Sequence, residues 1–242
     1  MPMSRLAYTL LLYLLLPALL LRAAWRARTS PVGGERLGER LGRVAPDDRR
    51  PLLVHCVSVG ETLAALPLLR ALLDAGEPLW VTSTTLTGAE RVRLALGSAV
   101  RHSFLPVDTP DAVARFLDRV RPRALLVMET EIWPNLVAAC AARGIPVVLV
   151  NARLSEKSAR GYARFAGLTR RTLARFAAVL AQAEPDAARF RALGAASVTV
   201  TGNLKFDLHL PAELRDEATA LRAGWGGRPV WIAASTHAGE DE

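Results

Sequence analysis

The 242-residue chain is 51% hydrophobic and 22% charged, and its 31 Lys and Arg against 23 Asp and Glu give a formal net charge of +8. This composition excludes an intrinsically disordered protein, and the length suffices for one large domain or for one domain with an appendage. Much of the basic excess lies between Arg22 and Arg50, where Trp25 is the one aromatic residue, so we expect no nucleic-acid partner.

The first predicted element is a helix formed by the uncharged run Leu6–Leu21. The run is slightly shorter than the roughly 20 apolar residues that span a bilayer, so a spanning anchor, a helix lying in the membrane interface and a buried core helix all stay open. Arg22, Arg26 and Arg28 follow the run, and by the positive-inside rule they would hold the downstream chain in the cytoplasm. A cleaved secretory signal carries its charge before the apolar run instead. The pattern therefore predicts that residues 1–28 form a membrane anchor with a basic neck.

Cysteine and histidine usage gives no sign of a metal or of disulfides. Cys56 and Cys140 both lie in apolar runs, which is typical of buried free thiols in a reducing compartment. The four histidines are scattered, and no pair or cluster has metal-ligand spacing. We therefore predict no metal and no cofactor.

Beyond Arg50, apolar runs typical of strands alternate with helical patterns. The eight predicted strands are Leu52–Val57, Leu79–Ser83, His102–Leu105, Ala124–Met128, Val147–Val150, Ala178–Ala181, Val198–Thr201 and Val230–Ala234. Such alternation indicates an α/β fold with a mostly parallel, Rossmann-like, doubly wound sheet. Pro67 falls inside the apolar pattern of the first helix after a strand, so it should kink that helix or delay its start.

Glu61 lies where the first predicted strand gives way to a helix, in the run Ser58-Val59-Gly60-Glu61. A carboxylate at the carboxyl end of such a strand points into the crevice where open α/β sheets bind ligands, and this position suits a general base. Gly60 would let a substrate approach the backbone. The alternative is that Glu61 only complements the positive amino end of the following helix.

A second acidic motif, Met128-Glu129-Thr130-Glu131, follows the predicted strand Ala124–Met128. Glu129 would emerge at the same edge of the sheet as Glu61, and two acids at one edge can diverge in pKa and divide acid and base roles between them. The alternative is helix capping by Glu129, with Glu131 solvated and Trp133 in the core.

Lys205 follows the predicted strand Val198–Thr201 and is one of only two lysines among 31 basic residues, the other being Lys157. Arginine supplies the positive charge at almost every other basic position, so a lysine here indicates a specific need for a compact ammonium group. Four further side chains could face the cleft from loops after strands, although short hydroxyl residues often serve turns instead. These are Ser58, Thr85, Asn151 and Arg153.

A turn-rich segment at 222–229 indicates a domain boundary. We expect residues 29–224 to form the Rossmann-like domain and residues 225–242 to form a linker with the first strand and loop of a second domain. Because one strand and its loop cannot bury themselves, we expect the rest of that domain to be missing from this chain.

Seven segments, in this order and spacing, resemble the amino-terminal half of bacterial Kdo transferases. These membrane-anchored glycosyltransferases add 3-deoxy-manno-octulosonate (Kdo) to a lipid A precursor. The segments are HCVSVGETLAALPLLRAL, TTLTGAERV, LPVDTPDAVARFLDRVRP, METEIWPNL, IPVVLVNARLS, TGNLKFD and VWIAASTHAGE. The resemblance covers essentially the whole chain, including the apolar run.

The resemblance implies a GT-B fold of two Rossmann-like domains, the amino-terminal one for the lipid acceptor and the other for the donor, CMP-Kdo. It implies an inverting reaction at the cytoplasmic face of the inner membrane, with Glu61 as proton acceptor and Glu129 and Lys205 as transition-state stabilisers. Ser235, Thr236 and His237 would belong to the donor half, so a chain ending here is expected to be inactive alone. Two alternatives are another GT-B enzyme of nucleotide-sugar chemistry and a membrane-tethered binding module without catalysis.

Overall fold

The computed structural model describes residues 3–29, 36–207, 212–234 and 236. The chain divides into two compact units, Met1–Leu208 and His209–Glu242. The described part of the first unit contains a seven-stranded sheet in which every neighbouring pair is parallel. This arrangement confirms the predicted α/β class and the parallel, Rossmann-like sheet.

The seven strands correspond to the first seven predicted runs, within one or two residues at each end. They are β1 Leu52–His55, β2 Leu79–Ser83, β3 Arg101–Phe104, β4 Ala124–Met128, β5 Val147–Ala152, β6 Ala178–Ala181 and β7 Val198–Val200. Their spatial order is β3-β2-β1-β4-β5-β6-β7. The order reverses direction between β1 and β4, and a crevice at the carboxyl ends of the strands forms at such a switch point.

Helices of the first unit cover both faces of the sheet. The described helices of the first unit are α1 Arg5–Thr29, α2 Leu37–Arg40, α3 Val59–Asp74, α4 Leu86–Leu96, α5 Pro110–Val120, α6 Pro134–Ala142, α7 Glu156–Ala163, α8 Ala166–Leu173 and α9 Glu184–Ala192, with 3-10 helices at Gly97–Ala99 and Leu204–Asp207. The second unit contains α10 Ala212–Gly224. Successive strand residues such as Leu53 and Val54 point into two separate apolar clusters, because side chains alternate across a strand. The cluster around Val54 packs on α3 and α4, and the other packs on α5, α6, α8 and α9.

Helix α3 starts directly after β1 and continues through Pro67. The expectation that Pro67 delays the start of the helix is therefore wrong. Leu66 and Leu69, on either side of the proline, are buried against the sheet, and this packing outweighs the hydrogen bond that proline cannot donate. Because the helix starts early, Glu61 lies in its first turn.

Helix α1 lies along the domain and is attached to it through polar side chains near its amino end. Tyr8 Oη donates to Asp108 Oδ2 (3.0 Å). Thr9 Oγ1 and the Asn135 side-chain amide, both buried, hydrogen-bond to each other (2.9 and 3.2 Å). Tyr13 Oη donates to a carboxylate oxygen of Asp111 (2.7 Å). A helix held in this way is a fixed part of the first unit.

Asp108, in the loop after β3, links α1 to the start of α6. It is 2% exposed and accepts the backbone N–H groups of Asn135 (3.0 Å) and Leu136 (2.7 Å) in the first turn of α6. Burial raises the pKa of Asp108 to about 7, although both N–H groups oppose the rise. One buried carboxylate therefore satisfies the open amino end of α6 and receives the hydroxyl group of Tyr8.

In the second unit the described residues form α10 and an extended tail. Residues 230–234, which the sequence pattern predicts as a strand, have no regular secondary structure, so this prediction is wrong. A strand forms by hydrogen bonding to a neighbouring strand, and the described residues of this unit contain none.

Candidate active site

Acidic side chains from two neighbouring strands meet at the switch point of the sheet. Glu61 follows β1 in the first turn of α3, and Glu129 follows β4, which is hydrogen-bonded to β1 in parallel register. The charge of Glu129 contributes to raising the pKa of the Glu61 carboxyl group, as expected for acids that follow adjacent parallel strands. The structure thus brings together two of the three predicted catalytic residues, in the crevice where this fold type binds ligands.

The carboxylate of Glu61 folds back on the start of its own helix. Its Oε2 accepts the backbone N–H of Val57 (2.8 Å), and its Oε1 accepts the hydroxyl group of Ser58 (3.2 Å). Ser58 is the N-cap of α3, and its Oγ in turn accepts the backbone N–H of Glu61 (3.4 Å). This pattern is a variant of the capping box in which the carboxylate accepts the N–H of Val57, one residue before the N-cap.

The sequence left open whether Glu61 is a base or a partner of the helix terminus, and the geometry shows the second role. The residue is 8% exposed. Each carboxylate oxygen carries two lone pairs, so the two hydrogen bonds leave acceptor capacity for a substrate hydroxyl group. Burial raises the pKa of Glu61, the N–H of Val57 lowers it, and Glu129 raises it. A carboxylate with a raised pKa is a stronger base when ionised.

Glu131 is a third acid in the same cluster as Glu61 and Glu129. The alternative in which Glu129 only caps a helix expected Glu131 to be solvated. Glu129 has a left-handed backbone (φ 56°) and donates its N–H to Val150 O (2.9 Å). The chain turns sharply there, which leaves Glu131 partly buried beside Glu61 and Glu129. Its spacing of two residues from Glu129 was the only signal in the sequence. Among the described residues, none of the three carboxylates has an ion pair.

We expect the Glu131 carboxyl group to titrate near pH 7 and the midpoint to fall in Glu129→Gln. Burial and, to a smaller extent, the charges of Glu61 and Glu129 together raise the pKa of Glu131 to about 7, and the Trp133 side chain opposes the rise. Since the folded pKa lies above the usual value near 4, stability contributed by this group is present below pH 4 and lost as pH rises through 7. Carbon-13 NMR of the side-chain carboxyl groups measures the midpoint, with Glu90→Gln, on the exposed face of α4, as the control that leaves it unchanged.

Three of the predicted binding residues build the loop around Glu61. Ser58 caps α3, and Thr85 caps α4 by accepting the N–H of Gly88 (3.1 Å) while donating to Val57 O (3.0 Å). A Cβ atom at Gly60 would meet only Ser58 Oγ, at 3.9 Å. Gly60 therefore leaves open space beside the acid, whereas Ser58 and Thr85 have structural hydrogen bonds.

Asn151 positions the segment that carries Lys205. Asn151 is 1% exposed, has a left-handed backbone (φ 53°) and lies at an irregularity in the pairing of β5 with β6. Its Oδ1 accepts the backbone N–H of Leu204 (3.1 Å), and Leu204 packs on the apolar cluster beneath α3. Lys205 itself is exposed on the 3-10 helix. The structure therefore holds its backbone near α3, and within the part of the chain that is described no hydrogen bond or ion pair joins the Lys205 side chain to Glu61 or Glu129.

Of the remaining predicted binding residues, Arg153 is exposed beyond the end of β5. Thr236 is exposed in the second unit, while Ser235 and His237 lie outside the described residues.

The arrangement can accept a proton and stabilise developing positive charge, because three carboxylates share a partly buried site without a paired cation. Among the described residues, no group of three or more His, Cys, Asp or Glu side chains is arranged to hold a metal ion. The nearby thiol of Cys56 is fully buried, and burial together with Glu61 and Glu129 raises its pKa. The thiol is therefore a poor nucleophile, and the reactive groups of this site are carboxylates.

Residues 35–208 match the family model described as 3-deoxy-D-manno-octulosonic-acid transferase (kdotransferase). The curated proteins of that name from Haemophilus influenzae and Bordetella pertussis are 39% and 43% identical to this chain over 99% of its length. A probable mitochondrial 3-deoxy-D-manno-octulosonic acid transferase of Arabidopsis thaliana is 32% identical over 97% of it. The chain spans 58% of the length of the two bacterial relatives.

Among solved structures, a UDP-GlcNAc 2-epimerase from Neisseria meningitidis aligns with 72% of this chain and 51% of its own, at 16% identity and a TM-score of 0.49. The MnaA protein of S. aureus, in a structure with UDP, aligns at 16% identity and a TM-score of 0.49 over 70% of this chain.

Proposed function

The chain belongs to the 3-deoxy-D-manno-octulosonic-acid transferase (kdotransferase) family, and we propose that it provides the acceptor side of an enzyme that transfers Kdo from CMP-Kdo to a lipid A precursor. The observation that carries the proposal is the group of carboxylates Glu61, Glu129 and Glu131 at the switch point of the sheet. Sugar transfer to an alcohol needs a positioned base. In this proposal a second GT-B domain holds most of the donor site.

In the proposed reaction, the oxygen of an acceptor hydroxyl group attacks the anomeric carbon of Kdo as the bond from that carbon to the CMP phosphate breaks. The hydroxyl proton passes to Glu61, and the bonding electrons leave with CMP. Attack from the face opposite the leaving group inverts the anomeric centre. The raised pKa of Glu61 supports the base role, because proton transfer is most efficient when the pKa of the base approaches the working pH.

Charge develops at two other places in this reaction. The sugar becomes oxocarbenium-like, and the carboxylate of Glu129 would stabilise that positive charge. The departing phosphate becomes more negative, and Lys205 would offset it from the 3-10 helix that Asn151 holds against α3. Lys205 is exposed in the described structure. A side chain that contacts the donor in a separate domain needs such exposure.

The test is a transfer assay on an extended chain, made by joining this chain to the carboxyl-terminal part of the Bordetella pertussis relative. We expect the extended chain to release CMP and to attach radiolabelled Kdo to an acylated glucosamine disaccharide phosphate in detergent. The extended chain with Glu61→Gln is the background control. Absence of transfer by a folded extended chain, with the relative itself active in the same assay, would reject the proposal.

We place this enzyme at the cytoplasmic face of the bacterial inner membrane, where it would meet its lipid acceptor. Among the described residues, Arg5–Trp25 forms one helix long and apolar enough to cross a membrane by length and composition. Its outward stripe is strongly exposed, with Leu14 at 77% and Leu21 at 72%. Arginines flank the apolar run, and each contributes about 1 kcal/mol near an anionic lipid surface.

We further propose that α1 lies in the plane of the membrane. Spanning would pull Thr9 away from Asn135 and Tyr8 away from Asp108, and the loss of buried hydrogen bonds costs about 1–3 kcal/mol for each group left unpaired. With α1 against the domain, its leucine stripe faces outward along most of its length. The helix is apolar on most sides and not amphipathic, so the in-plane proposal rests on its hydrogen bonds to the domain.

The side of the membrane on which Ser4 lies distinguishes an in-plane α1 from a spanning α1. For an in-plane helix, Ser4→Cys should react with a membrane-impermeant maleimide only after the inner membrane of spheroplasts is permeabilised. Lys157→Cys, on the exposed α7, is the cytoplasmic control, and Cys56 and Cys140 are fully buried and give little background. Labelling of Ser4→Cys but not Lys157→Cys in intact spheroplasts would show that α1 spans the bilayer.

A further inference from the structure

A cleft of about 340 Å³ separates α1 from the carboxyl edge of the sheet. One wall consists of α1 side chains, including Leu12, Leu19 and Ala23. The opposite wall comes from the loops after β3 and β4, including Leu105, Val107 and Trp133. The volume lies in the range of small-ligand sites, and both walls are mainly apolar.

The attachment of α1 keeps this cleft in place. The hydrogen bonds from Tyr8, Thr9 and Tyr13 fix the amino half of the helix, while the cleft lies beneath the half that follows Leu12. On the other side, Arg40 donates to the backbone carbonyl groups of Thr84 and Leu105 and so ties together the loops after β2 and β3. The two walls are therefore held by separate polar contacts, with apolar space between them.

The cleft adjoins the carboxylate group. Thr84 lines the cleft, and its backbone N–H donates to Val57 O (3.4 Å), while the N–H of Val57 donates to Glu61 (2.8 Å). One residue therefore separates a wall of the cleft from the proposed base. On the other side, Trp133 lines the cleft two residues after Glu131.

Two polar features indicate what kind of molecule fits. The hydroxyl oxygen of Thr84 is buried and has no hydrogen-bond partner among the described residues, so the cleft offers a polar group to an otherwise apolar occupant. Arg22 lies at the wall formed by α1 and is exposed, where it can meet an anionic headgroup. An acyl chain attached to a negatively charged head matches both features, because its carbonyl oxygen can accept a hydrogen bond from the hydroxyl group of Thr84.

We propose that this cleft binds one fatty-acyl chain of the glycolipid acceptor and thereby brings its sugar hydroxyl group to Glu61. The assignment of the chain to the acceptor rests on the proposed function. A methylene group occupies about the volume of a liquid water molecule, roughly 30 Å³, so the cleft holds roughly ten carbons of the chain. The two faces of α1 then have different roles: the outer face contacts the membrane, and the inner face contacts one substrate chain.

Quenching of Trp133 fluorescence by 11-bromoundecanoate, below its micellar concentration, tests the cleft without any transfer step. We expect saturable quenching of the unaltered chain, and this component should disappear in Trp133→Phe. Ala23→Phe and Val107→Phe fill the cleft from opposite walls and should weaken binding at least tenfold. Leu14→Phe, on the outer face of α1, should leave binding unchanged. Circular dichroism verifies that each variant is folded.

Competition then identifies the source of the chain. An acylated glucosamine disaccharide phosphate should displace the brominated chain and restore fluorescence, whereas a phospholipid of equal chain length in the same micelles should not. Equal displacement by the phospholipid would overturn the assignment to the acceptor, and absence of Trp133 quenching would overturn the cleft itself. Because these readouts need no Kdo transfer, a negative transfer assay with intact quenching would count against the proposed activity and not against the cleft.

Discussion

Glu61→Gln should reduce Kdo transfer by the extended chain at least 100-fold while the domain keeps its fold. Loss of a general base costs about 10²–10⁴ in rate. The amide oxygen of glutamine can still accept the N–H of Val57, which Glu61 binds at 2.8 Å, so the end of α3 stays satisfied. We therefore expect the free energy of unfolding to change by less than about 1 kcal/mol. Single-turnover transfer rates and thermal unfolding measure the two effects.

Ser58→Ala separates capping from catalysis. This change removes the N-cap hydroxyl group of α3 but keeps the carboxylate, so it should cost about 1 kcal/mol of stability with a much smaller loss of rate. Glu90→Gln, on the exposed face of α4 with Arg93 as its partner, should change neither. If Glu61→Gln transfers Kdo within fivefold of the unaltered extended chain, Glu61 is a capping residue and the base lies elsewhere.

Asn151→Ala should destabilise the first unit by about 2–4 kcal/mol and displace Lys205. The change leaves the half-buried N–H of Leu204 without its acceptor, which costs about 1–3 kcal/mol. It also places alanine at a φ of 53°, and a left-handed conformation costs most residues about 1–2 kcal/mol. Asn151 Nδ2 has no partner among the described residues, so its removal adds nothing. Denaturant unfolding measures the loss.

Two further variants separate the contributions of the hydrogen bond, the left-handed backbone and Lys205. Asn151→Gly tolerates the left-handed backbone and should lose less stability than alanine, because only the hydrogen bond to Leu204 is missing. Lys205→Met, at an exposed position, should keep the stability but lower the transfer rate of the extended chain. If Asn151→Ala is as stable as the unaltered chain, the contact with Leu204 does not organise this segment.

The seven strands of the sheet could be predicted from sequence because each is a short apolar run between helical patterns, a local property of the chain. The eighth predicted strand, at 230–234, has a similar pattern but no regular structure. Apolar composition does not form a strand without a neighbour to accept its hydrogen bonds. Pairing is a non-local property, and a single sequence does not reveal it.

The site was predictable in part for the same reason. Parallel strands end at one edge of the sheet, so Glu61 and Glu129 could be expected on the same side. Their proximity depends on β4 adding next to β1, and the burial of Glu131 depends on the left-handed turn at Glu129. The sequence offered a capping role and a base role for Glu61, and a capping box with spare lone pairs is compatible with both.

The attachment of α1 was beyond sequence reasoning. Its leucine pattern resembles that of a membrane anchor, and nothing local indicates that Tyr8 contacts Asp108, one hundred positions later. Asp108 has no feature in the sequence that sets it apart, because an acid before a helix is common. Only the tertiary structure shows that it accepts two N–H groups of a different helix.

The strand order has a consequence for biosynthesis on the ribosome. β1 occupies the middle of the finished sheet, yet one of its edges has no partner until residues 124–128 of β4 have been made. An unpaired edge of a buried strand invites association with other chains, and slow synthesis through this interval prolongs the exposure. Nascent chains stalled between β3 and β4 should therefore be the ones most dependent on chaperones.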